Sequence, residues 1–320
     1  MSPTTTGSTA APNPTATLTR TIALMNQKGG VGKTTTAVNL AAGTAMLGKR
    51  TLLIDLDPQG HASLHLGISA EEGPTAYELL LDSDVTLEQA AVKARDNLWV
   101  LPARTDMAGA EAELAGETDR LVRLKHALDR SALKFDFIFI DCPPSLGVLT
   151  LNGLAVAREV FIPMQAQFLA MQGLSELLKT VKLVGQNVNP QLRVTGVVLC
   201  VHDGATSHSK EVVSEVDGFF EASRQSAEPW RSARVYRPAV RRNVKLAEAP
   251  SFGKSIFEYE PNCPGAQDYG KLAGVLCEEH AALAERLKIK TIGQMPVPAS
   301  AAAAVRTTGT TTTVAANTFG

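Results

Sequence analysis

The sequence predicts an α/β protein, a mainly parallel sheet with helices on both faces. Three observations carry the prediction. Short apolar runs alternate with longer amphipathic stretches along most of the chain, as in successive βα units. A glycine-rich segment, 29–32, separates one apolar run from a helical pattern. Two other runs reach aspartates at Asp55 and Asp141, and the carboxyl ends of strands are where open α/β sheets place their functional groups.

Taken in order, a strand is expected over 21–26 and a helix over 33–47, closed by Gly48, since glycine readily takes the left-handed conformation that ends helices. Strands follow over 50–56 and 97–102, and a helix over 118–130. The run Phe-Asp-Phe-Ile-Phe-Ile-Asp at 135–141 has the continuous apolar character of a strand buried on both faces. Further strands are expected over 159–163 and 192–201, and helices over 169–184 and 270–287. The two ends, 1–18 and 291–320, are rich in Thr and Ala without apolar periodicity. They are expected to be disordered, because they bury too little surface to offset their ordering entropy. The remainder, 19–290, is about 270 residues and suits one α/β domain.

Hydrophobic residues make up 44% of the 320, enough for a full interior, while a formal net charge of -1 gives no global attraction to nucleic acid or anionic membrane. No apolar run reaches the roughly 18 residues of a membrane span. The N-terminus lacks the basic-then-apolar order of a secretory leader. The 4 cysteines (Cys142, Cys200, Cys263, Cys277) form no CxxC pair, which argues against a zinc site or a disulfide framework. A cytoplasmic protein is expected.

The segment Asn26-Gln27-Lys28-Gly29-Gly30-Val31-Gly32-Lys33-Thr34-Thr35 is a phosphate-binding loop. Gly29, Gly30 and Gly32 let backbone N–H groups converge on phosphate oxygens without Cβ interference. Lys33 brings positive charge to the β- and γ-phosphates, Thr34 offers a hydroxyl to Mg²⁺, and the following helix adds its dipole. ATP and Mg²⁺ are the expected ligands. The loop is unusual in having Gln27 where the first glycine belongs, with a second lysine, Lys28, next to it. Two readings of Lys28 fit the spacing: a solvated surface lysine, or a cation reaching the phosphates of a facing subunit, as arginine fingers do in trans. Asp55 and Asp57, two residues apart, suit a metal's water shell or the orientation of an attacking water. Asp141 ends a Walker-B-like strand and would hold Mg²⁺ through water.

The motifs KGGVGKTT, DLDPQGHAS, DCPPS and RNVKLAEAPSFGKSI together resemble the ParA/Soj family of DNA-partitioning ATPases, over about residues 20–287. The resemblance implies a P-loop NTPase of the deviant-Walker-A type that closes as a homodimer around two ATP molecules. It gives Lys28 the role of crossing to the partner subunit, with Lys33 and Asp57 serving hydrolysis. It also places Thr34, Asp57 and Asp141 around Mg²⁺, and 28–35 as a whole around the nucleotide. Non-specific DNA, a ParB-like centromere-binding partner that triggers release, and a nucleoid location come with it.

From Arg224 to Lys245 the chain carries Arg224, Arg231, Arg234, Arg237, Arg241, Arg242 and Lys245 against Glu228 alone. Composition allows a solvated face or phosphate contacts without sequence specificity. The resemblance favours DNA, with Arg241, Arg242 and Lys245 as contacts. Two departures from the family stand nearby: Ala205 where relatives often carry Arg, and Arg241 where they read Pro. A MinD-like membrane-associated regulator is the alternative, and it would need an amphipathic C-terminal helix. The expected helix 270–287 carries Glu278, Glu279 and Glu285, and its apolar face is assigned to the core. A cluster carrier like the nitrogenase iron protein would need more than Cys142 near the nucleotide. His61 and His65 lack a third ligand, so a surface or loop role is expected for them rather than a metal site.

Overall fold

The computed structural model describes residues 18–287, apart from 168, 169 and 205, together with 306–307. The two ends expected to be disordered therefore lie outside the described residues, except for Leu18 and that pair. The strands are β1 (Arg20–Leu24), β2 (Thr51–Asp55), β3 (Val92–Arg95), β4 (Leu98–Leu101), β5 (Phe137–Asp141), β6 (Glu159–Met164), β7 (Arg193–Leu199), β8 (Arg234–Tyr236) and the two-residue β9 (Arg306–Thr307). They lie in the order β8-β7-β6-β1-β5-β2-β4-β3-β9. Every neighbouring pair is parallel except β3 with β4. The expected α/β architecture is the one observed.

The two-residue period of a strand explains how the sheet is covered. Phe137 and Phe139 of β5 enter one core with Leu40, Ala41, Tyr269, Leu272 and Leu276. That core lies beneath helices Lys33–Met46 and Pro264–Leu287. Ile138 and Ile140 point to the other side, among Leu154, Leu177, Val181 and Phe220, from helices Val148–Val156, Ala170–Asn187 and Ser207–Ser223. The buried face of Pro264–Leu287 includes Leu272, Ala273, Leu276 and Ala284, so its apolar stripe belongs to the core.

Several elements were not expected, among them helices Ala76–Leu81 and Ser207–Ser223. Helix Val148–Val156 buries residues all round, so it carries no amphipathic period. β3 and β8 are short strands near the sheet's margins, and β8 lies within the arginine-rich stretch. The helix expected over 118–130 begins only at Arg123. Its guanidinium draws back Glu117 and Asp119 in ion pairs, and 119–122 fold as a turn.

Two contacts hold the elements that carry the phosphate loop. Arg20, at the start of β1, grips Glu159 of β6 with two hydrogen bonds of 2.8 and 2.7 Å and reaches Glu279 of the last helix at 3.0 Å. Gly43 lets helix Lys33–Met46 approach helix Pro264–Leu287 closely: a Cβ there would stand 2.8 Å from the Cβ of Ala273. Gly43→Val should therefore destabilise the fold by about 1–3 kcal/mol through overpacking. Thermal denaturation checks this, and an unchanged midpoint would show that the two helices can separate without cost.

Candidate functional site

β1 lies between β5 and β6, and β5 lies between β1 and β2. Register then sets the site: Asp141 pairs with Leu24 on one side and with Asp55 on the other. The phosphate loop and both aspartates consequently meet at one edge. The loop is tethered on the β6 side, where Asn26 Nδ2 donates to the Pro163 carbonyl at 2.8 Å and Gln165 Nε2 to that of Gly30 at 2.9 Å. Gly30 and Gly32 take φ of 71 and 94, left-handed values that favour glycine. A Cβ on Gly32 would also press on Cys200, 3.2 Å away.

The two lysines of the loop go opposite ways. Lys33 is buried, with Nζ 3.5 Å from the Lys28 carbonyl oxygen, inside the curve of the loop. Lys28 is exposed and turns outward, where Nζ donates to Gln167 Oε1 at 3.0 Å. Gly30, Gly32, Lys33, Thr34 and Thr35 line an open cleft of about 590 Å³, closed opposite by 240–244 and 246–247, with Tyr269 at its back. That volume is in the range of small-molecule sites. Lys28 lies outside it, on a separate hollow with Gln167 and Leu174.

The acidic residues divide by role. Asp141 is buried, and neither carboxylate oxygen has a hydrogen-bond partner. Burial lifts its carboxyl well above the usual range and the neighbouring Asp55 adds to this, while Thr34 and Lys33 pull the other way. A buried orphan carboxylate beside a threonine hydroxyl is a donor set that a hard divalent cation satisfies. Asp55 is also buried, but Ser63 occupies it: Oδ2 accepts from Ser63 N at 2.9 Å and from Ser63 Oγ at 2.8 Å, and Oδ1 from Asp57 N at 3.2 Å. Burial raises Asp55 to about 6 against those bonds. It shapes the 57–63 turn and is closed to a ligand. Asp57 follows β2, half-buried, with Oδ1 accepting from Gln59 N at 3.0 Å, and its charge is felt at Asp141.

The basic segment looks different in three dimensions. Arg224 pairs with Glu221, Arg234 with Glu279, Arg237 with Asp217, Arg241 with Asp268 and Lys245 with Glu248. Arg241 is held firmly, its Nε and Nη2 donating to the two oxygens of the buried Asp268 at 2.9 and 2.8 Å. Among the described residues, Arg231 and Arg242 make no ion pair. Arg241 and Arg242 also border the nucleotide-sized cleft. Position 205 lies outside the described residues.

A model of the AAA domain family matches residues 19–194. The chain is 44% identical over 254 residues to the chromosome-partitioning ATPase Soj of Treponema pallidum, covering 79% of this chain and 95% of that protein. It is 42% identical over 275 residues to the chromosome partitioning protein ParA of Myxococcus xanthus, covering 86% and 93%. The chain belongs to the ParA/Soj family. It is thus a P-loop ATPase whose relatives partition chromosomes. Among solved structures, a Mycobacterium smegmatis protein named cobyrinic acid a,c-diamide synthase, with ADP and magnesium bound, superposes with a TM-score of 0.68 at 36% identity, covering 83% of this chain and 96% of that one. The septum site-determining protein MinD of Pyrococcus horikoshii shares the fold at 21% identity, with a TM-score of 0.63 and coverage of 83% and 98%.

Several site residues went unassigned in the sequence. Asn243, Val244 and Leu246 fall within the RNVKLAEAPSFGKSI motif, but their role as a wall of the cleft was not read from it. Gln165 and Gln167 are polar loop residues with no periodicity to mark them. The surface or loop role expected for both histidines holds for His61, exposed on the cleft rim, and fails for His65, which is buried in helix His61–His65. Burial depresses His65 from 6.5 to about 4. The unfolded chain therefore binds the extra proton as pH falls from 6.5 towards 4, and folding stability drops across that window. Urea unfolding at pH 7 and 5 should show a smaller loss in His65→Gln than in the natural chain. Equal losses would assign the pH sensitivity elsewhere.

Proposed function

We propose that this chain is a DNA-partitioning ATPase that dimerises on ATP, binds DNA non-specifically as a dimer, and is released when a ParB-like partner stimulates hydrolysis. The observation that carries the reading is the divergence of the two lysines. Lys33 folds into its own loop, whereas Lys28 points away from it, as a lysine serving a facing subunit must.

In this reading Gly29 to Gly32 present N–H groups to the phosphates, Lys33 neutralises the β- and γ-oxygens, and Lys28 does so for the partner's nucleotide. Val31 and Thr35 complete the cradle, and Asn243, Val244 and Leu246 wall the side left for the base. Thr34 and Asp141, with Asp57 through water, would hold Mg²⁺, which supplies charge neutralisation at the phosphate oxygens. Asp57 orients the attacking water and takes its proton. The oxygen of that water bonds to the γ-phosphorus as the bond to the β,γ-bridging oxygen breaks, leaving ADP and phosphate.

The DNA surface rests first on Arg242, which is exposed and unpaired. Arg241 and Lys245 are each paired with a carboxylate, which offsets their charge towards a DNA phosphate. The 240–247 stretch borders the nucleotide cleft and carries these cations, so closing the cleft would bring two weak patches onto one rigid body and raise their effective concentration. Leu272, Ala273, Leu276 and Ala284 of helix Pro264–Leu287 are buried, with Leu283 and Leu287 exposed near its end, and a stripe spent mainly on the core favours DNA over a MinD-like membrane role. A nucleoid-associated cytoplasmic location follows from the same reading.

Two experiments test it. Binding to a non-specific duplex should require ATP, fail with ADP, and be lost in Lys28→Ala and Lys33→Ala; nucleotide-independent binding would overturn the switch. In the ATP state, Arg242→Ala should flatten the dependence of log affinity on log salt by about one phosphate contact per subunit, about two per dimer, without loss of stability. Arg241→Ala should lower the thermal midpoint instead, because it leaves Asp268 buried with the backbone N–H of position 241 but without its counter-charge. A reversed pattern would move the DNA contact to Arg241.

A further inference from the structure

Two glutamines on the turn after β6 and Lys28 of the phosphate loop form a chain of hydrogen bonds that begins and ends on that loop. Gln165 Nε2 donates to the Gly30 carbonyl oxygen at 2.9 Å, Gln167 Nε2 to Gln165 Oε1 at 2.6 Å, and Lys28 Nζ to Gln167 Oε1 at 3.0 Å. Both ends are chemically fixed: a carbonyl oxygen only accepts, and an ammonium only donates. Each amide between them must therefore present its NH₂ towards Gly30 and its oxygen towards Lys28. The relay has one direction and one arrangement. The turn itself is pinned, since Gln167 N donates to the Gln165 carbonyl oxygen at 2.9 Å.

We propose that Gln167, oriented by Gln165, is a positioning residue that holds Lys28 aimed away from its own nucleotide, ready for the phosphates of a second copy of this chain. The assignment rests on the ATP-dimer reading above. Lys28 is exposed, and a free lysine loses considerable rotamer freedom when it is fixed at an interface. Gln167 takes one of the three ammonium donors and leaves two for phosphate oxygens. It is a neutral acceptor, so the charge that recognises the partner's nucleotide is undiminished. Ordering Lys28 before association removes part of the entropy cost of closing the dimer, and each dimer contains two such lysines.

The test uses the full chain with Mg²⁺ and a non-hydrolysable ATP analogue, following dimerisation by light scattering and ADP affinity by calorimetry. Gln167→Leu keeps the bulk and removes the acceptor. It should weaken dimerisation about 10-fold, with ADP affinity and thermal midpoint unchanged. Gln167→Glu keeps an acceptor for Lys28 but loses the donor to Gln165 and offsets the ammonium charge, so it should recover dimerisation part-way between Gln167→Leu and the natural chain. Unchanged dimerisation in Gln167→Leu, or equal loss in both variants, overturns the positioning role while the dimer reading stands. A parallel fall in ADP affinity would show that Gln167 acts on its own loop through Gly30, which also overturns it. A natural chain that stays monomeric with the analogue overturns the dimer reading and this assignment together.

Discussion

The site is organised around two carboxylates buried side by side at the ends of β2 and β5. Asp55 and Asp141 are paired in register, so neither can move away from the other without disturbing the sheet. Burying like charges is among the costliest things a fold can do. The protein handles the two differently. Asp55 is surrounded by donors from Ser63 and Asp57, while Asp141 has Lys33 and Thr34 nearby but no hydrogen bond of its own. The loop that carries those two residues therefore sits over an acidic floor that a cation would stabilise.

That floor gives the loop's geometry its meaning. Lys33 is drawn inward by the charge beneath it, and the glycines give the chain the left-handed turns it needs to wrap over that lysine. Lys28 precedes the wrap and is left outside. Two lysines five residues apart thus face different volumes, one enclosed and one open. The cleft beyond the loop is completed by residues some 200 positions later in the chain, which arrive because the last helix packs against the helix that follows the loop. The cations of that stretch and the wall of the nucleotide-sized cleft share the same backbone.

The arginine-rich stretch shows how a window of sequence overstates a charge. Only Glu228 opposes it locally, yet Glu221, Asp217, Asp268, Glu279 and Glu248 reach it from helices and turns on its borders. Ion pairs at exposed positions contribute little to stability. They do decide which guanidinium groups remain available to a phosphate, and Arg242 is one that does. Arg241 is chiefly a fastener between the 240–247 stretch and helix Pro264–Leu287, a role its spacing in the sequence did not suggest.

The α/β class and the phosphate loop were legible in the sequence because both rest on local rules. Period-two and period-3.6 apolar patterns mark strands and helices, and glycines before Lys33-Thr34 mark a loop whose backbone must approach an anion. Asp141 was legible for the same reason, as the polar end of an apolar run. Helix Val148–Val156 was not, since burial on every side erases its period, and neither were Gln165 and Gln167, whose meaning lies in what they touch. Spacing alone grouped Asp55 with Asp57 and placed His65 at the surface or in a loop; packing separated the first pair and buried the histidine. The sequence by itself determined which elements form and where phosphates can be cradled. Only the tertiary structure decided which of its charges are occupied and which remain open, because the partners that occupy them come from elsewhere in the chain.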